Sequence, residues 1–281
     1  MNTGYKKSVM SIILRLLVII AACVTGGVLL FIVGYILVKG IPNLSPELFA
    51  WEYNSDNLSM LPSIINTLII TAISLVIAVP LGIFSAIYLV EYAKRGNKLV
   101  GIIRITAETL SGIPSIVYGL FGMLFFVTTL QMDYSILAGS LTMCIMILPL
   151  IMRTTEEALK AVPDIYREGS FGLGAGRLRT VFRVVLPSAV PGILAGVILS
   201  IGRIVGETAA LIYTAGTVAE IPQNVFESGR TLSVHMYTLS REGLQINQTY
   251  ATAVVLLIFV ILINGLSAFV AKRITKGRGE T

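Results

Sequence analysis

Arg203 and Glu207 stand four residues apart in a run that is otherwise apolar between Arg183 and Glu220. On a helix that spacing puts both side chains on one face, where they can pair. With the span beginning at Val190, a rise of about 1.5 Å per residue carries Arg203 roughly 20 Å into a hydrocarbon core of about 30 Å. A charge at that depth costs on the order of 2.5–3.5 kcal/mol, so the pair is expected to face a bundle interior or a wet pathway. Two roles fit: a structural ion pair tying helices together, or an anion pathway in which Arg203, partly neutralised by Glu207, attracts weakly enough to release. Arg153, at the inner end of the preceding span, is either a second anion contact or an interfacial anchor whose stem snorkels. Bond-making chemistry is not expected. The chain has a single histidine, His235, read as a surface residue of an outer loop, and no clustered acids or metal set.

Those charges need a membrane around them, and composition supplies it. With 281 residues, 55% hydrophobic, 13% charged and mean hydropathy +0.86, the chain is outside the range of a soluble globule. Runs long enough to cross a bilayer, which takes about 20 helical residues, place six transmembrane helices at about 12–38, 63–90, 109–131, 135–152, 190–216 and 249–271 in one membrane domain, 1–281. Alternation of the spans puts Lys6, Lys7, Arg15, Lys94, Arg95, Lys98, Arg104, Arg153, Lys160, Arg167, Arg177, Arg179, Arg183, Lys272, Arg273, Lys276 and Arg278 on one face. Only Lys39, Arg230 and Arg241 fall on the other. The positive-inside rule makes the first face cytoplasmic, together with both termini. The net charge of +6 therefore belongs to the inner membrane surface, and no nucleic-acid partner is expected.

Lys6, Lys7 and Arg15 before an apolar stretch, with Ile20-Ala21-Ala22-Cys23, superficially match a cleaved leader. The apolar run continues to Val38, longer than a signal h-region, so an uncleaved first helix is expected. Cys23 and Cys144 both lie in spans without a CxxC pair and read as small packing residues. The outer loop with Pro42, Pro46 and Trp51 is either an interfacial segment or a plain connector. In the fifth span, Ser188, Gly192, Gly196 and Ser200, and again Gly202, Gly206 and Ala210, recur at spacing four. Such small residues permit close helix packing and make this span the expected centre of the bundle or of a subunit interface.

The long cytoplasmic loop, 153–189, is patterned. Pro163 and Asp164 predict the start of a short helix running to Phe171. Gly172, Gly174 and Gly176 then allow a turn with positive φ. A second helix is predicted from Leu178 to Leu186, with Pro187 and Pro191 marking the beginning of the fifth span. The glycines match neither a dinucleotide fingerprint nor a phosphate loop, and no strand precedes them, so any ATP is bound by another chain.

Within this loop Glu168-Gly169-Ser170, then Gly174, then Val184-x-Leu186-Pro187 fit, at every spacing, the segment by which permease subunits of ATP-driven importers grip their ATPase; Gly169 and Ser170 stand where that family has alanines. Gly112 to Gly122 (GIPSIVYGLFG) and Arg203 to Ala209 (RIVGETA) narrow the resemblance to permeases of the phosphate ABC importer, of the PstA type, over about residues 62–271. The resemblance implies an all-α type I importer bundle with a cytoplasmic coupling helix, in the bacterial inner membrane, that moves inorganic phosphate by alternating access. It implies as partners a cytoplasmic ATPase dimer carrying ATP and Mg, a homologous PstC-like permease and an external phosphate-binding protein, with no cofactor on this chain. Arg203, Glu207 and Arg153 would lie on the substrate pathway, and Glu168, Gly169, Ser170, Gly174, Val184, Leu186 and Pro187 would form the coupling loop. An importer for sulfate or molybdate would share the loop, and an anion channel could use Arg203 without it.

Overall fold

The computed structural model describes residues 9–94, 96–243 and 245–276; Lys6, Lys7, Arg95 and Arg278 lie outside them, and the side chains of Glu242 and Lys276 are likewise not described. All regular structure among the described residues is helical. Among the described residues five helices are long and apolar enough to cross a membrane, or six if a pair bent by 102° counts as one span.

The first span, α1 (Val9–Gly40), is exposed over its apolar length and packs only near its end, where a Cβ on Gly40 would meet Tyr250 and Val254. Two 3-10 turns, Ile41–Asn43 and Pro46–Phe49, lead into α2 (Leu61–Ile87), which a π-helical turn extends through Tyr88–Tyr92. Leu48, Leu58 and Met60 of this outer loop are buried against Leu232, Leu239 and Ala251. The loop is thus a packed part of the bundle, while Trp51 stays exposed.

The expected third span is broken. Helix α3 (Lys98–Ser111), capped by Asn97, ends where Pro114 disfavours helical geometry in the residue before it. Helix α4 (Ser115–Gly122), prolonged by a π-helical stretch Met123–Thr129, leaves at 102° to α3. Span 109–131 is therefore Ser115–Thr129 with a sideways helix before it.

Helix α5 (Ile136–Lys160), N-capped by the Ser135 hydroxyl, is the centre of the bundle: 67% of its apolar window is buried, against 28% for the fifth span. Within this chain, α5 and not the fifth span is therefore the bundle centre. Of the small residues of the fifth span, Gly192 and Gly196 pack closely on α5, where a Cβ would collide with Ala158 or Thr154, whereas Gly202 only touches Asn264 of α11 and Gly206 has nothing within 4 Å. One face of small residues buries one face of a helix, whereas α5 is surrounded by α2, α3, α4 and the fifth span.

The loop 153–189 contains α6 (Asp164–Gly172) and α7 (Arg177–Thr180). A π-helical turn, Val181–Val185, joins α7 to α8 (Leu186–Gly206), so Arg177–Gly206 forms one continuous helix of 30 residues. The separate second loop helix is not formed. Widening the turn ahead of Pro187 relieves the clash of its ring with the carbonyl four residues back, and the backbone passes both prolines unbroken. After a break come α9 (Ala209–Ile212), α10 (Leu232–Glu242), ended by Gly243 at φ +70°, and α11 (Ile246–Lys276).

Candidate functional site: a broken helix and a docking loop

Two of the motifs singled out in the sequence meet. Gly119 of α4 lies against α9 so tightly that an added Cβ would stand 2.7 Å from the Ala210 Cα and 3.2 Å from the Ala209 carbonyl oxygen. Gly122, one turn on, faces Thr142 and Thr214 with no room for a side chain. Tyr118, just before them, is buried and donates its hydroxyl to the Leu110 carbonyl at 2.7 Å. Glycine at 119 and 122 lets a helix carrying aromatic bulk approach the backbone that follows Arg203 and Glu207.

That backbone is not helical throughout. α8 ends at Gly206; Glu207 is extended (φ −73°, ψ 130°) and Thr208 is irregular before α9 begins. The expected Arg203–Glu207 pair on one helical face is therefore absent: no ion pair joins them among the described residues, because the i, i+4 rule holds only along an unbroken helix. Glu207 instead accepts the Ala210 N–H through Oε1 at 3.1 Å, and its carbonyl accepts the Ser233 hydroxyl of α10. Arg203, half-buried in the last turn of α8, has no acidic partner among the described residues. Irregular backbone inside a bundle is tolerated where it is packed by protein or lines a wet cavity. An uncompensated guanidinium beside it is chemically an anion-attracting group, stronger than the neutralised pair anticipated.

Arg153 sits apart from this break. It is exposed near the inner end of α5 and pairs with Glu157 at 3.1 Å, an i, i+4 contact on the helix surface.

The patterned loop 153–189 is built around α6, none of whose residues is buried. Glu168 and Gly169 are exposed, and Ile165, Tyr166, Phe171 and Leu173 expose apolar surface beside them. Gly174 takes φ +81°, the one place in the turn where a side chain would be strained. Ser170, standing where the resembled family has alanine, exchanges a 2.8 Å hydrogen bond with Thr180, so the substituted residue ties α6 to α7. Val184 and Leu186 are half-buried, with Leu186 against a second apolar cluster that includes Val181, Val185, Leu159 and Leu89; Pro187 follows at the first turn of α8.

Sequence reasoning missed the residue that holds α6 in place. Arg167 reaches back to Glu91 at the inner end of α2, with Nη2 to Oε1 at 2.7 Å and Nε to Oε1 at 3.2 Å. Its Nη1 donates to the Val162 carbonyl at 2.7 Å and Nη2 to that of Leu159 at 2.9 Å, covering carbonyls at the C-terminal end of α5. The two side chains are only 14% and 8% exposed. One guanidinium thus joins α2, α5 and α6. The available signal was a single acid, Glu91, at the inner edge of an uncharged run among basic residues, but its partner is 76 residues away. A second node lies beside it: Glu156 of α5 holds Arg104 of α3 at 2.7 Å and Lys160 at 2.6 Å.

His235 is also not where it was expected. It is fully buried at the start of α10, edge-on to Tyr53, near the buried Arg230, whose guanidinium lies 4.6 Å over the same ring. Burial, and then the charge of Arg230, press its pKa down to about 3. The outer loop folds over it, which a lone histidine in a polar stretch does not reveal.

Known proteins resemble this chain along most of its length. A family model described as "Binding-protein-dependent transport system inner membrane component" matches residues 78–276. A relative in Bacillus subtilis (strain 168), "Probable ABC transporter permease protein YqgI", is 33% identical over 240 residues, covering 80% of this chain and 81% of that one. "Phosphate transport system permease protein PstA 1" of Mycobacterium tuberculosis (strain CDC 1551 / Oshkosh) is 37% identical over 213 residues, 74% of this chain and 69% of that one. Among solved structures, a bacterial alginate ABC transporter in complex with its alginate-bound periplasmic protein superposes with TM-score 0.66 at 15% identity, covering 95% of this chain and 98% of that one, a likeness of fold. With the family model spanning most of the chain, this protein belongs to the inner-membrane components of binding-protein-dependent transport systems.

Proposed function

We propose that the chain is a permease subunit of an ATP-driven importer that moves inorganic phosphate across the bacterial inner membrane by alternating access. The observation that carries the reading is the meeting of the Gly112–Gly122 segment with the break after Arg203, with Gly119 seated on Ala210 beside an uncompensated guanidinium. The relatives named as phosphate permeases supply the substrate class. By the positive-inside rule the α6 face is cytoplasmic, as are both termini. There the exposed apolar and acidic surface of α6 docks on a separate ATPase dimer that carries ATP and Mg. A PstC-like permease completes the membrane assembly, and an external phosphate-binding protein delivers substrate to the opposite face.

In this mechanism closure of the ATPase dimer moves α6. The Arg167–Glu91 link and the continuous helix from Arg177 to Gly206 pass that movement to Arg203 as a rigid body. Arg203 attracts the anion, while Glu207 holds the start of α9 rather than the charge of Arg203. Arg153 contacts the anion near the inner mouth.

The test is uptake of labelled phosphate into vesicles containing this chain with its ATPase, sister permease and binding protein. Uptake that needs ATP, resists excess sulfate and is abolished by Arg203→Gln in a normally assembled complex is expected. Sulfate uptake would change the substrate, flux without ATP would indicate a channel, and full transport by Arg203→Gln would remove Arg203 from the pathway.

A further inference from the structure

An open cleft of about 920 Å³ lies between the end of α2, the start of α3 and the loop helix α6. Six cations line it, Lys94, Lys98, Arg104, Lys160, Arg167 and Arg177, against two carboxylates, Glu91 and Asp164. Arg167 is committed to those two acids, and Arg104 and Lys160 to Glu156. Lys94, Lys98 and Arg177 have no acidic partner among the described residues; the Arg177 guanidinium only overlies the Tyr92 ring at 5.6 Å. The first turn of α3, where the Asn97 side chain caps the Leu99 N–H, opens beside them. Three uncommitted cations around one cleft make a site for a multiply oxygenated anion.

The surface next to the cleft identifies the kind of anion. α3 lies at 102° to α4 and shows Leu99, Ile102 and Ile105 at 66%, 58% and 67% exposure, while Lys98, Gly101 and Arg104, one position before each, line the cleft. A helix with one apolar exposed stripe and a cationic stripe beside it suits the membrane interface. A free ion would use only the second stripe; a lipid would use both.

We propose that this cleft binds the phosphate headgroup of an anionic membrane lipid, its acyl chains lying along the Leu99–Ile105 stripe. Because Glu91, Asp164 and Arg167 form one wall, the lipid sits against the link that holds α6, and its presence reinforces the seating of the docking loop. The inference takes from the proposed function only the assignment of this face to the membrane's inner surface, and its test involves no transport.

The assembled transporter, delipidated in a neutral detergent, is titrated separately with phosphatidylglycerol, phosphatidylcholine and labelled inorganic phosphate, with bound lipid counted by native mass spectrometry and bound phosphate by equilibrium dialysis. At about fivefold per basic residue, Lys94→Gln/Lys98→Gln/Arg177→Gln lowers phosphatidylglycerol affinity on the order of a hundredfold. The three positions are exposed, and an unchanged unfolding temperature verifies that the variant is folded. Phosphatidylcholine is expected to bind weakly to both proteins, and phosphatidylglycerol bound by wild type is expected to weaken as salt rises. Equal phosphatidylglycerol binding by wild type and variant overturns the site. Saturable binding of inorganic phosphate without phosphatidylglycerol, lost in the same variant, overturns the lipid assignment.

Discussion

Removing the guanidinium of Arg167 leaves the Glu91 carboxylate, 8% exposed, without its counterion, and frees two carbonyls at the end of α5. Breaking a buried pair from one side costs about 3–5 kcal/mol; with Arg167 itself 14% exposed the lower end applies, about 3 kcal/mol. That corresponds to a roughly 150-fold fall in the ratio of seated to unseated α6. Hydrogen exchange reads the ratio directly. In Arg167→Gln, amides of residues 164–172 should exchange about two orders of magnitude faster while the middle of α5 keeps its protection. Glu91→Gln combined with Arg167→Gln leaves no stranded charge and should recover to within about tenfold of wild type, a coupling of roughly 2 kcal/mol between positions 76 residues apart. In vesicles, phosphate moved per ATP hydrolysed should fall in the single variant and recover in the double. Unchanged exchange in α6, or strict additivity of the two substitutions, would refute the idea that this pair seats the docking helix.

Gly119→Ala forces a Cβ to within 2.7 Å of the Ala210 Cα, where neither backbone can yield cheaply, so a loss of about 1–3 kcal/mol and a lower unfolding temperature are expected; Gly169→Ala, open on all sides, should change neither. His235, with its pKa near 3 in the fold and about 6.5 when released, stabilises the outer face fully above pH 6.5 and loses that contribution as pH falls toward 3. Between pH 7 and pH 5 wild type should lose about 2 kcal/mol that His235→Phe does not, measured as the difference in their unfolding transitions. Glu168→Lys reverses an exposed charge in the centre of α6 and should abolish co-purification of the ATPase while leaving the permease pair intact.

The spans and the loop were legible because their signals are local: apolar length, Pro163 before Asp164, and a glycine where φ turns positive at Gly174. The failures have one origin, reasoning along the chain about contacts made across it. Spacing predicts an Arg203–Glu207 pair only while the helix continues, and at the break the Glu207 carbonyl is taken by Ser233 of α10, a contact from across the fold. Pro187 reads as a helix start unless a π-turn precedes it, and no local residue type announces one. His235 looks like surface until the outer loop covers it. Glu91 and Arg167 each look like ordinary residues of a charged inner edge, and only the tertiary fold joins them.

In the proposed mechanism the unbroken run from Arg177 to Gly206 would act as a lever. Its tightest seat, Gly196 on Thr154, would be the fulcrum. At about 1.5 Å per residue the docking end lies roughly 28 Å from that point and Arg203 roughly 10 Å. The arms are therefore near three to one, so a displacement of about 5 Å imposed at the cytoplasmic end reaches Arg203 as a little under 2 Å. The geometry exchanges stroke for force: a large, soft movement of the docking surface becomes a small, stiff one at the guanidinium. A shift of that size is on the scale of a single hydrogen-bond length, enough to make or break contact with an anion without unseating α8 from α5.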